Sequence, residues 1–307
     1  MALLITILCF FLMELAPYDA IDAMTGPNMP YEQVLAIKEK YGYDKPPIVR
    51  YLRWISGVLQ GDFGYSLLTH RSIMQDLKVR IINTMILLIP SYLSAIFFST
   101  VFGMTAAVKE GKWQEKIVDA VCSFGMATPS FWVGMIVIYF FAYSMKAFPV
   151  LGMYTIGSNR TFADFLWHFF LPYCTLTFAF LPDLTLYIKI STAKELTQPY
   201  IRTQKSLGFS PYKILIIHVL KNVSFTIITK ASIAIPMIIT GAAITESVFG
   251  WPGVGPYFLQ ALQGFDYPII MTILLLSSLF VMIANLCADL LYAAADPRIR
   301  EGSENAK

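Results

Sequence analysis

Asp183 and Lys230 stand inside two otherwise apolar stretches of this chain, and Glu246 closes the second of them. A charge at membrane depth faces protein or water rather than lipid. Asp183 follows Pro182 near the middle of its stretch, so it either bonds backbone freed by the proline or touches something being translocated; the first is the expectation. Lys230 lies about 10 Å of helical rise from the nearer end of its stretch, and either snorkels to the headgroups or lines a path. Catalytic chemistry is not encoded. His70, His168 and His218 are scattered without zinc-ligand spacing, and Cys9, Cys122, Cys174 and Cys287 fall within apolar runs, where a thiol is a small hydrophobe. There is no Gly-x4-Gly-Lys-Ser/Thr phosphate loop, no His-Glu-x-x-His and no Gly-x-Ser-x-Gly. A nucleotide's phosphates cannot be gripped by such a phosphate loop, so ATP energy would have to enter through a partner.

The polar run from Lys189 to Asn222 is where such a partner can act. Pro199 suits the first position of a short helix reaching Leu207, and Gly208 supplies the left-handed residue that ends helices without a side-chain penalty. Ser210 is placed as the N-cap of a second helix with Pro211 at its first position, and Phe209 and Ile214 have the spacing of a hydrophobic staple. These signals predict a rigid bend. The alternative is an ordinary amphipathic hairpin on the membrane surface, with Lys205 and Lys213 reaching headgroups.

The elements that position these residues are membrane helices. Of 307 residues 56% are hydrophobic, and a bilayer needs about 20 apolar residues per helix. Thr84 to Val108, Ala120 to Met145 and Tyr267 to Ala288 meet this without a charge; Phe165 to Ile188 and Val223 to Thr245 carry one interior charge each. Met1 to Leu15 reads as a truncated first span rather than a signal peptide. The expectation is an all-α integral membrane protein of six transmembrane helices: a first span over 1–16, a helical extracytoplasmic segment over 17–83, a five-helix core over 84–292 that includes the cytoplasmic loop 189–222, and a cytoplasmic tail over 293–307.

Lys109, Lys112 and Lys116, the six basic residues from Lys189 to Lys221, and Arg298, Arg300 and Lys307 mark the cytoplasmic side, with both termini on it. The segment Phe249 to Asp266 holds no Lys or Arg and faces outward. In it Trp251, Pro252, Gly253, Val254 and Gly255 predict a tight turn, with Trp251 at the membrane interface as an anchor. In the long outer segment Pro30 opens and Gly42 closes a helix over Tyr31 to Tyr41, and Ile48, Tyr51, Leu52, Ile55 and Leu59 recur at helical spacing after Pro46 and Pro47.

The stretch Tyr200-Ile-Arg-Thr-Gln-Lys-Ser-Leu-Gly208, followed by Ile214 to Asn222, resembles the coupling loop of binding-protein-dependent ABC importer permeases, in particular the dipeptide, oligopeptide and nickel permease family. Further blocks agree in order: Leu15-Ala16-Pro17, Gly61-Asp62-Phe63-Gly64, Glu246 to Gly255, Asp266-Tyr267-Pro268, Asn285-Leu286, Asp289 to Tyr292 and Asp296-Pro297-Arg298. Gln198-Pro199, Gln204 and Ser206 depart from the family's usual residues.

The resemblance implies a non-enzymatic transport subunit in a bacterial inner membrane that pairs with a second permease, two ATPase subunits and an extracytoplasmic binding protein, with lipid around it and no nucleic acid. It binds no cofactor itself; ATP sits on the partners. It assigns coupling to Tyr200, Arg202, Thr203, Lys205, Gly208, Phe209, Ser210 and Pro211, an outer gate to Glu246, Trp251, Pro252, Gly253, Gly255 and Asp266, and leaves Asp183 and Lys230 as pathway candidates. Short peptides are the first cargo implied, nickel or a metal chelate the second. An autonomous ion-coupled transporter would need more intramembrane carboxylates or histidines than Asp183 offers.

Overall fold

The computed structural model describes residues 2–15, 21 and 29–295, with side chains at all of these but 2, 225, 226, 229, 231–241, 288, 289 and 291–295. Ala16, Pro17, Asp296, Pro297, Arg298, Arg300 and Lys307, named above for motif or charge, lie outside the described residues, as do the side chains of Asp289 and Tyr292. The described chain is helical: α1 (Ala2–Glu14), α2 (Tyr31–Tyr41), α3 (Pro47–Leu59), α4 (Ile73–Val108), α5 (Trp113–Ala127), α6 (Ser130–Val137), α7 (Phe162–Leu196), α8 (Pro199–Ser206), α9 (Pro211–Lys213), α10 (Leu220–Val248), α11 (Val254–Gln263) and α12 (Tyr267–Ala295). Two π-helical stretches are fused to these, Ile138–Ser144 after α6 and Ile214–Val219 between α9 and α10.

Among the described residues, three helices are long and apolar enough to cross a bilayer: α4, α7 and the Tyr267–Cys287 part of α12. A bent pair, α5 with Ser130–Ser144, turned by 100°, is apolar enough only when taken together, as a broken span or a re-entrant loop. The straight span expected over Ala120 to Met145 is therefore broken. Pro129 has no N–H to give and forces its predecessor out of the helical region, so Thr128 is extended at φ −101°, ψ 123°. In α7 the opposite happens. Pro172 and Pro182 sit inside one uninterrupted 35-residue helix, which at about 1.5 Å per residue is longer than the hydrocarbon core is thick.

The chain forms two compact units, residues 1–84 with 252–282, and residues 85–251 with 283–307. In the first, Tyr51 is buried against Phe10, its ring edge-on at 5.4 Å and its hydroxyl 2.9 Å from Thr6 Oγ1, while Arg50 pairs with Glu14. Gly42 closes α2 at φ 75°, as its position predicts. Of the apolar stripe read on α3, Tyr51 is buried and Ile55 half-buried, while Ile48, Leu52 and Leu59 are exposed, so only part of the stripe is packed. The core of the unit gathers Leu67, Ile73, Leu77, Tyr257, Ala261, Tyr267 and Ile270.

In the second unit α4 and α7 approach closely. A Cβ on Gly103 would stand 2.7 Å from the Thr185 carbonyl, so only glycine fits. Hydroxyls cross the seam: Ser99 donates to the Leu181 carbonyl at 2.9 Å and Thr177 to that of Ser91 at 3.3 Å. Small residues and hydroxyl bonds are what hold helices together where there is no hydrophobic drive between them.

Candidate functional site: a capped elbow and a charged cavity

The elbow begins where α7 ends at Thr197 and Gln198 turns extended, which lets Pro199 open α8. Gly208 stands at φ 82°, and the Phe209 N–H reaches back to the Gln204 carbonyl at 3.2 Å to close α8. Ser210 Oγ then accepts from Lys213 N–H at 3.3 Å, and Pro211 opens α9. Each of these devices matches its sequence signal.

The inner side of the bend is apolar. Ile201 and Ile214, both fully buried, join Met104, Ile188, Val219 and Val223, with Phe209 packed against this cluster as the staple spacing predicts. Lys213 lies over the Phe209 ring at 4.9 Å rather than stretching toward headgroups. At the base, the Tyr200 hydroxyl and Asn222 Nδ2 both donate to Glu195 Oε1 at 2.6 Å. Burial first, and then the Glu195 carboxylate, push the Tyr200 phenol up to about 12. Glu195 was not singled out from the sequence, because only the fold brings the end of α7, the start of α8 and the start of α10 together.

Arg202, Thr203, Lys205, Gly208, Ser210 and Pro211 are exposed, and beside them Leu207 and Tyr212 are 70% and 74% exposed. The outer side of the elbow is thus a basic rim with two apolar knobs. Leu207 and Tyr212 were not assigned a role from sequence; their signal was a large side chain next to a cap.

A second charged cluster went unread. Lys189 Nζ lies 2.6 Å from Glu115 and 2.7 Å from Asp119, tying α5 to α7 near the cytoplasmic end assigned to them.

Asp183 does not bond backbone beside Pro182. Its carboxylate is 3.0 Å from Lys230 Nζ, and Lys230 lies over the Tyr187 ring at 4.9 Å, so neither the backbone reading of Asp183 nor free snorkelling of Lys230 describes the pair. Both line a cavity of about 420 Å³ with Tyr92, Thr128 and Ser130, the last two flanking the break between α5 and α6.

The residues expected to form one outer turn divide between the two units. Glu246 is fully buried, and its carbonyl accepts from the Trp251 N–H at 2.8 Å. Trp251 is not an interfacial anchor: it is 0% exposed, packed with Leu87 and Leu176 and with the rings of Phe165 and Phe169 at 6.1 and 6.2 Å. An aromatic pocket outcompetes the interface for so large an apolar surface. Past it, the Pro252 carbonyl accepts from Asn83 Nδ2 at 3.0 Å, and the Val254 N–H donates to Thr84 Oγ1 at 2.9 Å. Gly253 precedes α11, and Gly255 is buried within it. Asp266 is buried and accepts from Ser66 Oγ at 2.6 Å and the Leu68 N–H at 3.3 Å.

Residues 99–301 match the family described as binding-protein-dependent transport system inner membrane component, and residues 1–87 match that family's N-terminal region. This chain belongs to that family of membrane permeases. The oligopeptide transport system permease protein AppB of Bacillus subtilis (strain 168) is 34% identical over 96% of this chain and 94% of its own length. The glutathione transport system permease protein GsiC of Salmonella paratyphi A is 30% identical over 97% of this chain and 94% of its own. Among solved structures, one titled as inward-facing conformations of the MetNI methionine ABC transporter matches with a TM-score of 0.56 at 17% identity. It covers 73% of this permease and 97% of that chain, and shows a shared fold.

Proposed function

We propose that this permease is one half of the translocation path of an ATP-driven importer of short peptides, a six-span subunit with both termini in the cytoplasm. It pairs with a second permease, receives cargo from an extracytoplasmic binding protein and takes its energy from two ATPase subunits. The observation that carries this reading is the elbow, whose bend is held by a left-handed glycine, an N-cap and a buried apolar cluster while its outer side stays exposed. A stiff lever with a free docking side transmits motion; a floppy loop dissipates it. In this reading Tyr200 and Phe209 brace the lever, and Arg202, Thr203, Lys205, Leu207 and Tyr212 seat in the ATPase. Peptide cargo is supported by relatives named for oligopeptide and glutathione transport. Pro252, Gly253, Gly255 and Asp266 belong to the side that meets the binding protein, and Glu246 and Trp251 hold the outer end of α10.

Reconstitution tests the assignment. Proteoliposomes holding both permeases, both ATPases and the binding protein take up a tripeptide only with ATP; uptake by this chain without ATPases would point to ion-coupled transport instead.

A further inference from the structure

We propose that the cavity holding Asp183 and Lys230 is a transit site that reads the two charged ends of a short zwitterionic substrate, its ammonium meeting Asp183 and its carboxylate meeting Lys230. The inference rests on the peptide-import reading and sharpens it by giving the path itself, beside the binding protein, a share in selecting cargo.

Three observations carry it. The Asp183 side chain is 60% exposed although it sits within a membrane-spanning helix, and an exposed carboxylate at that depth faces water or protein, not lipid. Its partner is the movable half of the pair, because Lys230 reaches it at 3.0 Å on a long unbranched stem that lies over the Tyr187 ring. Third, Tyr92 lines the same cavity with a side chain only 8% exposed, and its buried hydroxyl has no hydrogen-bond partner among the described residues. A buried hydroxyl left without a partner is a place for a ligand's polar atom.

Charge matching then sets the class of ligand. A molecule bearing one ammonium and one carboxylate exchanges the single Asp183–Lys230 pair for two, and no charge is stranded. A molecule with only one charge opens the pair and replaces it with a single new one, so it gains less than a zwitterion does. The termini of an extended dipeptide or tripeptide lie about 7–10 Å apart, so Lys230 must swing away from Asp183 for the ligand to seat. The break at Thr128–Pro129 opens onto this cavity, and interrupted spans are where transporters place substrate groups.

The test uses the assembled complex of both permeases and both ATPases in nanodiscs without the binding protein, probed by equilibrium binding of radiolabelled tri-alanine, N-acetyl-tri-alanine and tri-alanine amide. The wild-type complex binds tri-alanine about tenfold more tightly than either blocked form. Asp183→Asn loses the preference for a free amino end and keeps that for a free carboxylate; Lys230→Gln does the reverse. The reversed pair, Asp183→Lys with Lys230→Asp, keeps an ion pair for folding and a partner for each end of a zwitterion turned end for end, so it still binds tri-alanine more tightly than either blocked form. Equal binding of all three probes by wild type, or equal losses for all three in each single variant, would overturn the site, as would binding of tri-alanine by the reversed pair no tighter than that of the blocked forms. Binding-protein-driven uptake of tri-alanine by the wild-type complex is read in parallel. Intact uptake with indifferent variants removes only the transit site, whereas absence of any tripeptide uptake removes the peptide reading and the site together.

Discussion

The elbow and the Asp183–Lys230 cavity are opposite solutions to placing polar groups in one unit. In the elbow the capping and basal polar groups are answered locally, Gln204 Oε1 being a buried exception: Ser210 caps Lys213, Phe209 N–H answers the Gln204 carbonyl, and Glu195 collects Tyr200 and Asn222. The cavity gathers residues from α4, α5, α6, α7 and α10 and leaves the Tyr92 hydroxyl without a partner and Asp183 mostly exposed. Saturated hydrogen bonding makes a stiff body that moves as one piece. Unsaturated groups around a void make a place that a ligand can complete.

The contrast can be broken most forcefully at Gly208. A Cβ there meets nothing within 4 Å, so the penalty is the left-handed backbone alone, about 1–2 kcal/mol for an ordinary residue. Gly208→Asp adds an acid to a basic rim as well, and is expected to insert normally yet lower ATP-driven uptake about 100-fold, read with the ATPase-to-uptake ratio. Uptake at wild-type level would show that the elbow is not the lever.

Ile201→Ala tests whether the apolar inner side provides the stiffness. Removing a fully buried side chain is expected to destabilise the elbow by about 2–4 kcal/mol, measured by hydrogen exchange across residues 199–222. Loss confined to uptake with unchanged exchange would place rigidity elsewhere.

Glu195→Ala removes the acceptor of two hydrogen bonds, one from the half-buried Tyr200 and one from the exposed Asn222, and is expected to loosen the same segment by about 1–1.5 kcal/mol, with ATP hydrolysis retained and less of it converted to uptake. Ser210→Ala is smaller, about 1 kcal/mol, and confined to the start of α9.

The least effect is alkaline. Because the Tyr200 phenol is raised above its ordinary 10 to about 12, its share of stability is complete below pH 10 and is lost as the pH climbs through 12. Tyr200→Phe should remove that alkaline loss of protection at residues 199–222, read by hydrogen exchange as the pH is raised.

The elbow was legible because its determinants are local: Pro199, Gly208, Ser210 and Pro211 each act on their own turn of backbone, and each takes the conformation its type prefers. The break at Pro129 had the same kind of signal, a proline within an apolar run, but Pro172 and Pro182 carry that signal too and leave α7 continuous. What separates them is packing. Pro182 lies where α5 comes so near that a Cβ on Gly125 would stand 2.5 Å from its ring, while crossing hydroxyls from α4 reach the neighbouring backbone. Trp251 was misread for a related reason, since its preference for an interface holds only when no deeper aromatic pocket competes.

By itself the sequence determined that this chain is built of apolar membrane helices, carries a bent, capped loop and lacks the Gly-x4-Gly-Lys-Ser/Thr pattern, because hydropathy, capping and that pattern are written in contiguous residues. Only the tertiary structure decided that Asp183 meets Lys230, that Glu195 ties three helix ends and that Trp251 is buried. Those pairings join positions tens of residues apart, and no local propensity specifies which distant partner satisfies a buried charge or fills an apolar pocket.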